Sequence, residues 1–242
     1  MDKSSFTNHK NHFSLYLTLA MFTLLTACQS MGNDWDRLGL KGKVKRVEER
    51  TYNVDGQKFG EWQQGRRTFG NANMAFDANG GFLWTETLDR DLKLNSKYVV
   101  KRQSDRLFNE LFYNAEGQLT DKNEVERVSA NRTTFVNYDM DGNKRLEGDT
   151  YLRNHKLARQ EFTLFEKGVA QSGFVVVFEY DEDGNLIRQK QTRNGEELTY
   201  FARYEYLTFD DKKNWTKRLE FDEEDATEPV RMATRTYLYF ED

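Results

Sequence analysis

One short pattern recurs along the chain and restricts its possible folds more than any other feature. An aromatic residue is followed by Asp or Asn, two variable residues, Gly and then, in most copies, a polar residue. The copies are Tyr52-Asn53-Val54-Asp55-Gly56, Phe76-Asp77-Ala78-Asn79-Gly80, Tyr113-Asn114-Ala115-Glu116-Gly117, Tyr138-Asp139-Met140-Asp141-Gly142 and Tyr180-Asp181-Glu182-Asp183-Gly184. A degenerate sixth, Phe209-Asp210-Asp211-Lys212-Lys213, carries Lys213 in place of the glycine. This is the chemistry of a tight hairpin. The Asp or Asn side chain accepts a backbone N–H, the next two residues make a type I turn, and glycine takes the left-handed conformation that closes a bulged connection. The preceding aromatic ends the incoming strand and packs across the hairpin. Gly56, Gly80, Gly117, Gly142 and Gly184 are the expected turn glycines.

The segments between the turns read as strands. Phe174-Val175-Val176-Val177-Phe178-Glu179-Tyr180, Tyr200-Phe201-Ala202-Arg203-Tyr204-Glu205-Tyr206 and Arg235-Thr236-Tyr237-Leu238-Tyr239-Phe240 are β-branched and aromatic runs bounded by Gly, Asn and Asp. No stretch after Cys28 shows the three-and-four apolar spacing of a helix. Further turn signals fall between the anchors, at Glu166-Lys167-Gly168 and Arg193-Asn194-Gly195-Glu196. Successive anchors lie 24 to 42 residues apart, so the repeat is irregular and each unit leans on its neighbours. The fold expected is all-β: an antiparallel meander of hairpin repeats, about 12–15 strands, forming a large sheet that is open and twisted or curled on itself. Low apolar content favours a thin core with one face largely wet.

The N-terminus reads as a targeting segment. Phe13 to Leu25 is an uncharged, mostly apolar run of 13 residues, shorter than the roughly 20 that span a bilayer comfortably. It ends in Leu25-Thr26-Ala27-Cys28, which resembles the lipobox of bacterial lipoproteins, and the one cysteine of the chain occupies the position that is acylated. The resemblance implies a signal peptide over residues 1–27 and a lipidated Cys28; residues 28–40 then read as a short tether with a first turn of structure, and residues 41–242 as a β-repeat domain. It also implies a location in the cell envelope. Gln29 rather than Asp follows the cysteine, so the outer membrane is expected where the source has one. Two or three acyl chains hold a protein at a membrane where one binds marginally.

The turn motifs, with Tyr180-Asp181 to Leu186 the closest, resemble the YD (RHS-type) repeats of bacterial surface and toxin-shell proteins. They are still more similar to those of small envelope lipoproteins, as are Leu38 to Val47 (LGLKGKVKRV) and Asn214-Trp215-Thr216-Lys217-Arg218. The irregular spacing and modest number of units depart from the tighter period of closed, cargo-enclosing YD shells.

Composition removes several functions. With 36 Lys and Arg against 40 Asp and Glu, the chain has no basic excess, so no nucleic acid is expected as partner. A single cysteine excludes a disulfide framework and a multi-cysteine zinc site. Counted from Asp181 as an EF-hand loop, Leu186 stands where the glycine belongs and Thr192 where the bidentate glutamate belongs, so no calcium loop is formed. Once the leader is removed, His155 is the one remaining histidine; it sits in a turn-like Arg153-Asn154-His155-Lys156, and no serine lies in a nucleophile-elbow sequence. Neither a catalytic site nor a cofactor or metal site is expected. Tyr200, Tyr204, Tyr206, Tyr237 and Tyr239 form either a binding face for peptide or glycan or one packed face of a sheet. The expectation is a non-catalytic, membrane-anchored lipoprotein offering an interaction surface to an envelope protein or glycan. The alternative is a carrier or chaperone for a lipid or apolar segment, which requires a cavity behind a concave aromatic face.

Overall fold

The computed structural model of the chain describes residues 33–241; the leader, Cys28 and the first part of the tether lie outside them. A short helix α1 (Asp34–Arg37) leads into fifteen strands. These are β1 (Val44–Lys58), β2 (Glu61–Arg67), β3 (Asn71–Phe76), β4 (Phe82–Leu88), β5 (Leu94–Arg102), β6 (Leu107–Asn114), β7 (Leu119–Ser129) and β8 (Arg132–Asp139). The remainder are β9 (Lys144–Arg153), β10 (Lys156–Glu166), β11 (Val169–Tyr180), β12 (Leu186–Arg193), β13 (Glu197–Phe209), β14 (Trp215–Phe221) and β15 (Arg231–Tyr239).

The all-β meander expected from the sequence is present, and it closes on itself. Each strand pairs antiparallel with the next except that β3 pairs with β1 rather than β2, and β15 returns to pair with β1 from Val44↔Tyr239 to Asn53↔Arg231. The result is a 14-strand barrel. β2 is not one of its staves. It pairs only with the far half of β1, from Tyr52 onward, while β3 pairs with Arg46–Glu49 on the same edge. Asn71 bridges the break between β2 and β3: its Oδ1 accepts from the Thr51 N–H, and its Nδ2 donates to the carbonyls of Thr68 and Asp89. The β1–β2 hairpin therefore runs on past the barrel rim.

Five of the six expected turns form, and all five share one hydrogen-bond pattern. The N–H of the Asp or Asn donates to the carbonyl four residues on, and the residue three on donates back to its carbonyl. Its Oδ1 accepts the N–H of the residue after the glycine position, at 2.7–2.9 Å. The bulge fixes register: Phe76 pairs with Phe82, Tyr113 with Leu119, Tyr138 with Lys144, Tyr180 with Leu186 and Phe209 with Trp215. Gly80, Gly117, Gly142 and Gly184 all take positive φ, and so does Lys213 in the degenerate copy.

Gly56 is the exception and corrects the expectation. It lies inside β1, where its φ of 87° belongs to an irregular register between Val54 and Gln57. The connection is made instead by Phe59-Gly60, both at positive φ, because the strand continues beyond the rim. A turn of the same type, absent from the expected set, joins β4 to β5. Asp89 makes the same contacts to Lys93, and Leu92 takes the left-handed position at φ 63°.

Alternation assigns the two faces of the wall. On the outer face stand ion pairs such as Glu86–Lys97, Lys122–Glu124, Arg132–Asp149 and Arg188–Glu179, at 2.6–3.1 Å. A barrel that spans a bilayer presents an apolar band about 25 Å tall; the charged ladders here suit water. The lumen face carries Phe108, Val125, Phe135, Phe162, Phe174, Val176 and Phe178, all buried.

Candidate functional site

The two ends of the barrel differ. At the end where β1 begins, residues 33–41 cross from the β3–β4 turn towards the β11–β12 and β13–β14 turns. Asn33 caps α1 by accepting the Asp36 N–H. The Asp34 N–H donates to the Gly80 carbonyl, while its Oδ2 accepts from the Phe82 N–H at 2.6 Å and from Arg102 at 3.2 Å. Trp35 donates from its indole to the Val44 carbonyl at 2.7 Å. Farther on, Lys41 and Asn214 exchange two hydrogen bonds of 2.8 Å. Asp34, Trp35, Arg37 and Leu40 are all buried. Over residues 33–41 the chain packs as a plug, with α1 as its first turn of structure.

Arg37 points from this plug into the lumen. It is 3% exposed, pairs with Asp34 Oδ1 at 3.3 Å, and makes no hydrogen bond through Nε, Nη1 or Nη2. Its charge bears on Glu110 of β6 and on Tyr180 of β11. Burial pushes the Glu110 carboxyl up to about 8, above the ordinary range, against hydrogen bonds from Asn123 and Tyr98. Glu110, Asn123 and Asn137 form a buried chain across β6, β7 and β8, with Asn123 donating to Glu110 at 2.5 Å and Asn137 donating to Asn123 at 2.8 Å. On this side the lumen is filled. Phe108, Val125, Phe135, Gly148, Phe162 and Phe174 lie in one cross-strand row, and the rings of Phe162 and Phe174 stack at 5.1 Å.

The walls made by β13, β14, β15 and β1 are different. Tyr200, Tyr204 and Tyr206 share the lumen face with Arg218, Glu220, Arg231, Arg235, Tyr237, Tyr239 and Glu49, by register across the four strands. Glu49 accepts from Arg235 Nε at 2.7 Å and from Arg218 at 3.4 Å. The Arg218 guanidinium lies 4.4 Å from the centre of the Tyr204 ring and 4.5 Å from that of Trp215, and Arg235 is 4.1 Å from Trp215. Glu220 pairs with Arg231 and accepts from the Tyr200 hydroxyl. Burial alone would raise the Glu49 carboxyl, but Arg235 and Arg218 outweigh it and hold the group below its usual range. Burial, with Glu220 beside it, pushes the Tyr200 hydroxyl up to about 12.

These charged groups keep accessible surface although they face the lumen. The side chains of Glu49 and Arg218 are 14% exposed, that of Arg235 15%, and that of Arg231, nearest the far rim, 39%. Glu220, the partner of Arg231, is 12% exposed, so these groups line a narrow crevice on this wall that is most open at Arg231. The two longest projections at that rim fold outward. Loop 222–230 lies on the outer wall, where Glu224 pairs with Arg188 and Lys190 and the Ala226 carbonyl accepts from Arg203. Val54 and Trp62 of the β1–β2 hairpin pack outside on Leu219, Phe221 and Met232. Among the described residues no segment crosses this end.

The five tyrosines singled out in the sequence are thus brought together on the lumen face. Gly80 and Gly184 are placed at the plugged end, Gly117 and Gly142 at the open rim, Gly56 in the hairpin extension. His155 sits exposed in the β9–β10 turn at φ 65°. The arginines and glutamates of the crevice were not foreseen. One signal was present: Arg231, Arg235, Tyr237 and Tyr239 stand at alternate positions of one strand, so the charges share the face of the rings. Comparison of the chain with known protein families and with curated proteins finds no match.

Proposed function

We propose that the protein is a non-catalytic cup of the cell envelope, held to a membrane through an acylated Cys28 and receiving a ligand through the end of the barrel opposite its plug. The observation that carries this reading is the asymmetry of the two ends. One is sealed by the chain's own residues 33–41, with Trp35 and Arg37 buried in it; at the other the longest projections lie on the outer wall and the charged crevice is most open, at Arg231. A barrel of about eight strands is filled by its own side chains, whereas about sixteen to eighteen leave a channel. Fourteen strands with one filled wall and one charged aromatic wall leave room on the second.

Native mass spectrometry of the full-length protein, extracted mildly from its own membranes, tests the reading. A bound small mass is expected; bare acylated chain after mild release would count against a resident ligand. A second reading, an interaction surface for an envelope protein or glycan, is favoured by the β1–β2 extension, whose tip carries Phe59 at 95% exposure, and by Phe69, 72% exposed in the link from β2 to β3. A second polypeptide or an oligosaccharide in the same spectrum would support it.

A further inference from the structure

The crevice carries more positive than negative charge, and its guanidinium groups are held in a way that suits anions. Arg218, Arg231 and Arg235 face Glu49 and Glu220. Glu49 is shared between Arg218 and Arg235, and Glu220 is taken by Arg231, so one guanidinium charge lacks a carboxylate. A charge surrounded by protein and left uncompensated is costly, and a bound counter-charge relieves it. Arg218 is fixed with Tyr204 and Trp215 against it, which covers its faces and leaves its edges. Neither its Nε nor that of Arg231 has a hydrogen-bond partner. A planar guanidinium whose orientation is fixed by rings is prepared for two-point contact with a carboxylate or phosphate. Around it the wall is aromatic: Tyr200, Tyr204, Tyr206, Trp215 and Tyr237 line it, Tyr204 and Trp215 each with a face against a guanidinium, and Tyr200 standing beside Glu220 and Arg231 towards the far rim.

We propose that this crevice binds a small amphiphile by its anionic head, a carboxylate or phosphate seated against Arg218 and Arg235 with Arg231 at the mouth, and its apolar part against the tyrosine wall. This deepens the cup reading and rests on it. The shared recognition chemistry is the anion, whether it belongs to an amphiphile or is free in solution.

Calorimetric titration of the full-length protein in nanodiscs, with empty nanodiscs subtracted, separates the possibilities. The probes are octanoate, octyl phosphate, octanol and inorganic phosphate. Octanoate and octyl phosphate should bind at least tenfold more tightly than octanol, and inorganic phosphate should bind weakly and compete with both. In Arg231→Gln, whose side chain is partly exposed, octanoate affinity should fall about fivefold to tenfold while octanol affinity stays unchanged; Arg218→Gln should lose more. Thermal unfolding of each variant shows whether it has folded. Octanol binding as tightly as octanoate would overturn the anion site and leave the cup standing. Inorganic phosphate binding as tightly as octyl phosphate would overturn the amphiphile and leave an anion site. Failure of all four probes, with bare chain in the native spectrum, would remove the cup itself.

Discussion

Glu110 is a carboxyl group placed where only its neutral form is comfortable. It is 1% exposed, on the lumen face of β6, with Asn123 donating to one oxygen. Its folded pKa, about 8, lies above the ordinary 4.5, so between these values the folded chain holds a proton that the unfolded chain releases. Stability must therefore fall as pH rises from 4.5 through 8. At about 1.4 kcal/mol per unit, the loss between pH 6 and pH 9 is roughly 2–3 kcal/mol. Glu110→Gln keeps an acceptor for Asn123 and cannot ionise, so its unfolding temperature should vary less over that range, and at pH 9 it should exceed the parent's. An unchanged pH profile would show that Glu110 is charged in the fold. Gly148 makes a second case. It stands between Phe135 and Phe162 in the ring row, and a Cβ there would come within 2.1 Å of the Glu161 carbonyl oxygen. Gly148→Ala should cost roughly 1–3 kcal/mol and lower the unfolding temperature on the order of 5 °C, read by circular dichroism. Neither residue stood out in the sequence. Glu110 is one of 40 acidic residues, and the face that a strand turns inward depends on which strands close around it.

At the scale of elements, turns were the legible part and the plug was not. A hairpin of this type is decided within about six residues, by an Asp or Asn that accepts backbone N–H groups and a residue that tolerates left-handed φ. Five copies could therefore be placed by reading alone. The Asp89 turn carries no such mark, because Leu92 takes the position that glycine marks elsewhere, and Gly56 falls inside β1 because that strand is prolonged by pairing with β2. Local chemistry does not reveal which end of the barrel a turn occupies, and there the glycines diverge. A Cβ on Gly80 would come within 2.7 Å of both Asn33 Cβ and Trp35 Cε3 in the plug. One on Gly184 would meet the Lys156 ammonium, a flexible tip that can swing away at the loss of its hydrogen bond to the Gly184 carbonyl. Gly117 and Gly142 have nothing within 4 Å of the added carbon. Alanine at 117 or 142 should cost only the left-handed strain, about 1 kcal/mol, and at 184 somewhat more. At 80 the loss should be roughly 2–4 kcal/mol, with indole emission shifted to the red as Trp35 is displaced. Equal losses at all four positions would mean that the plug does not bear on the turns.

On the scale of the whole molecule, closure joins β1 to β15, and no local signal could announce a pairing between residues so far apart in the chain. The sequence left an open and a curled sheet equally available; the match between the long first strand and the last decides for the barrel. Closure also gives the proposed anchor a direction. Five residues lead from Cys28 to Asn33, a reach of about 17 Å when extended. Asn33 sits at the plugged end, on the turn that contains Gly80. An acylated Cys28 would therefore hold the plug at the bilayer and turn the crevice away from it, so that ligand arrives from the aqueous side or from a facing partner. Cys28 is the one cysteine of the sequence and, acylated as proposed, would offer no thiol, so an introduced thiol could be labelled alone. A fluorophore at Asn79→Cys, in the turn beneath the plug, should be quenched by lipids bearing a nitroxide on the headgroup. The same label at Glu116→Cys, in the turn at the open rim, should be spared. Quenching at 116 with none at 79 would invert the orientation and bring the crevice to the membrane, where the ligand would be drawn from the anchoring bilayer itself.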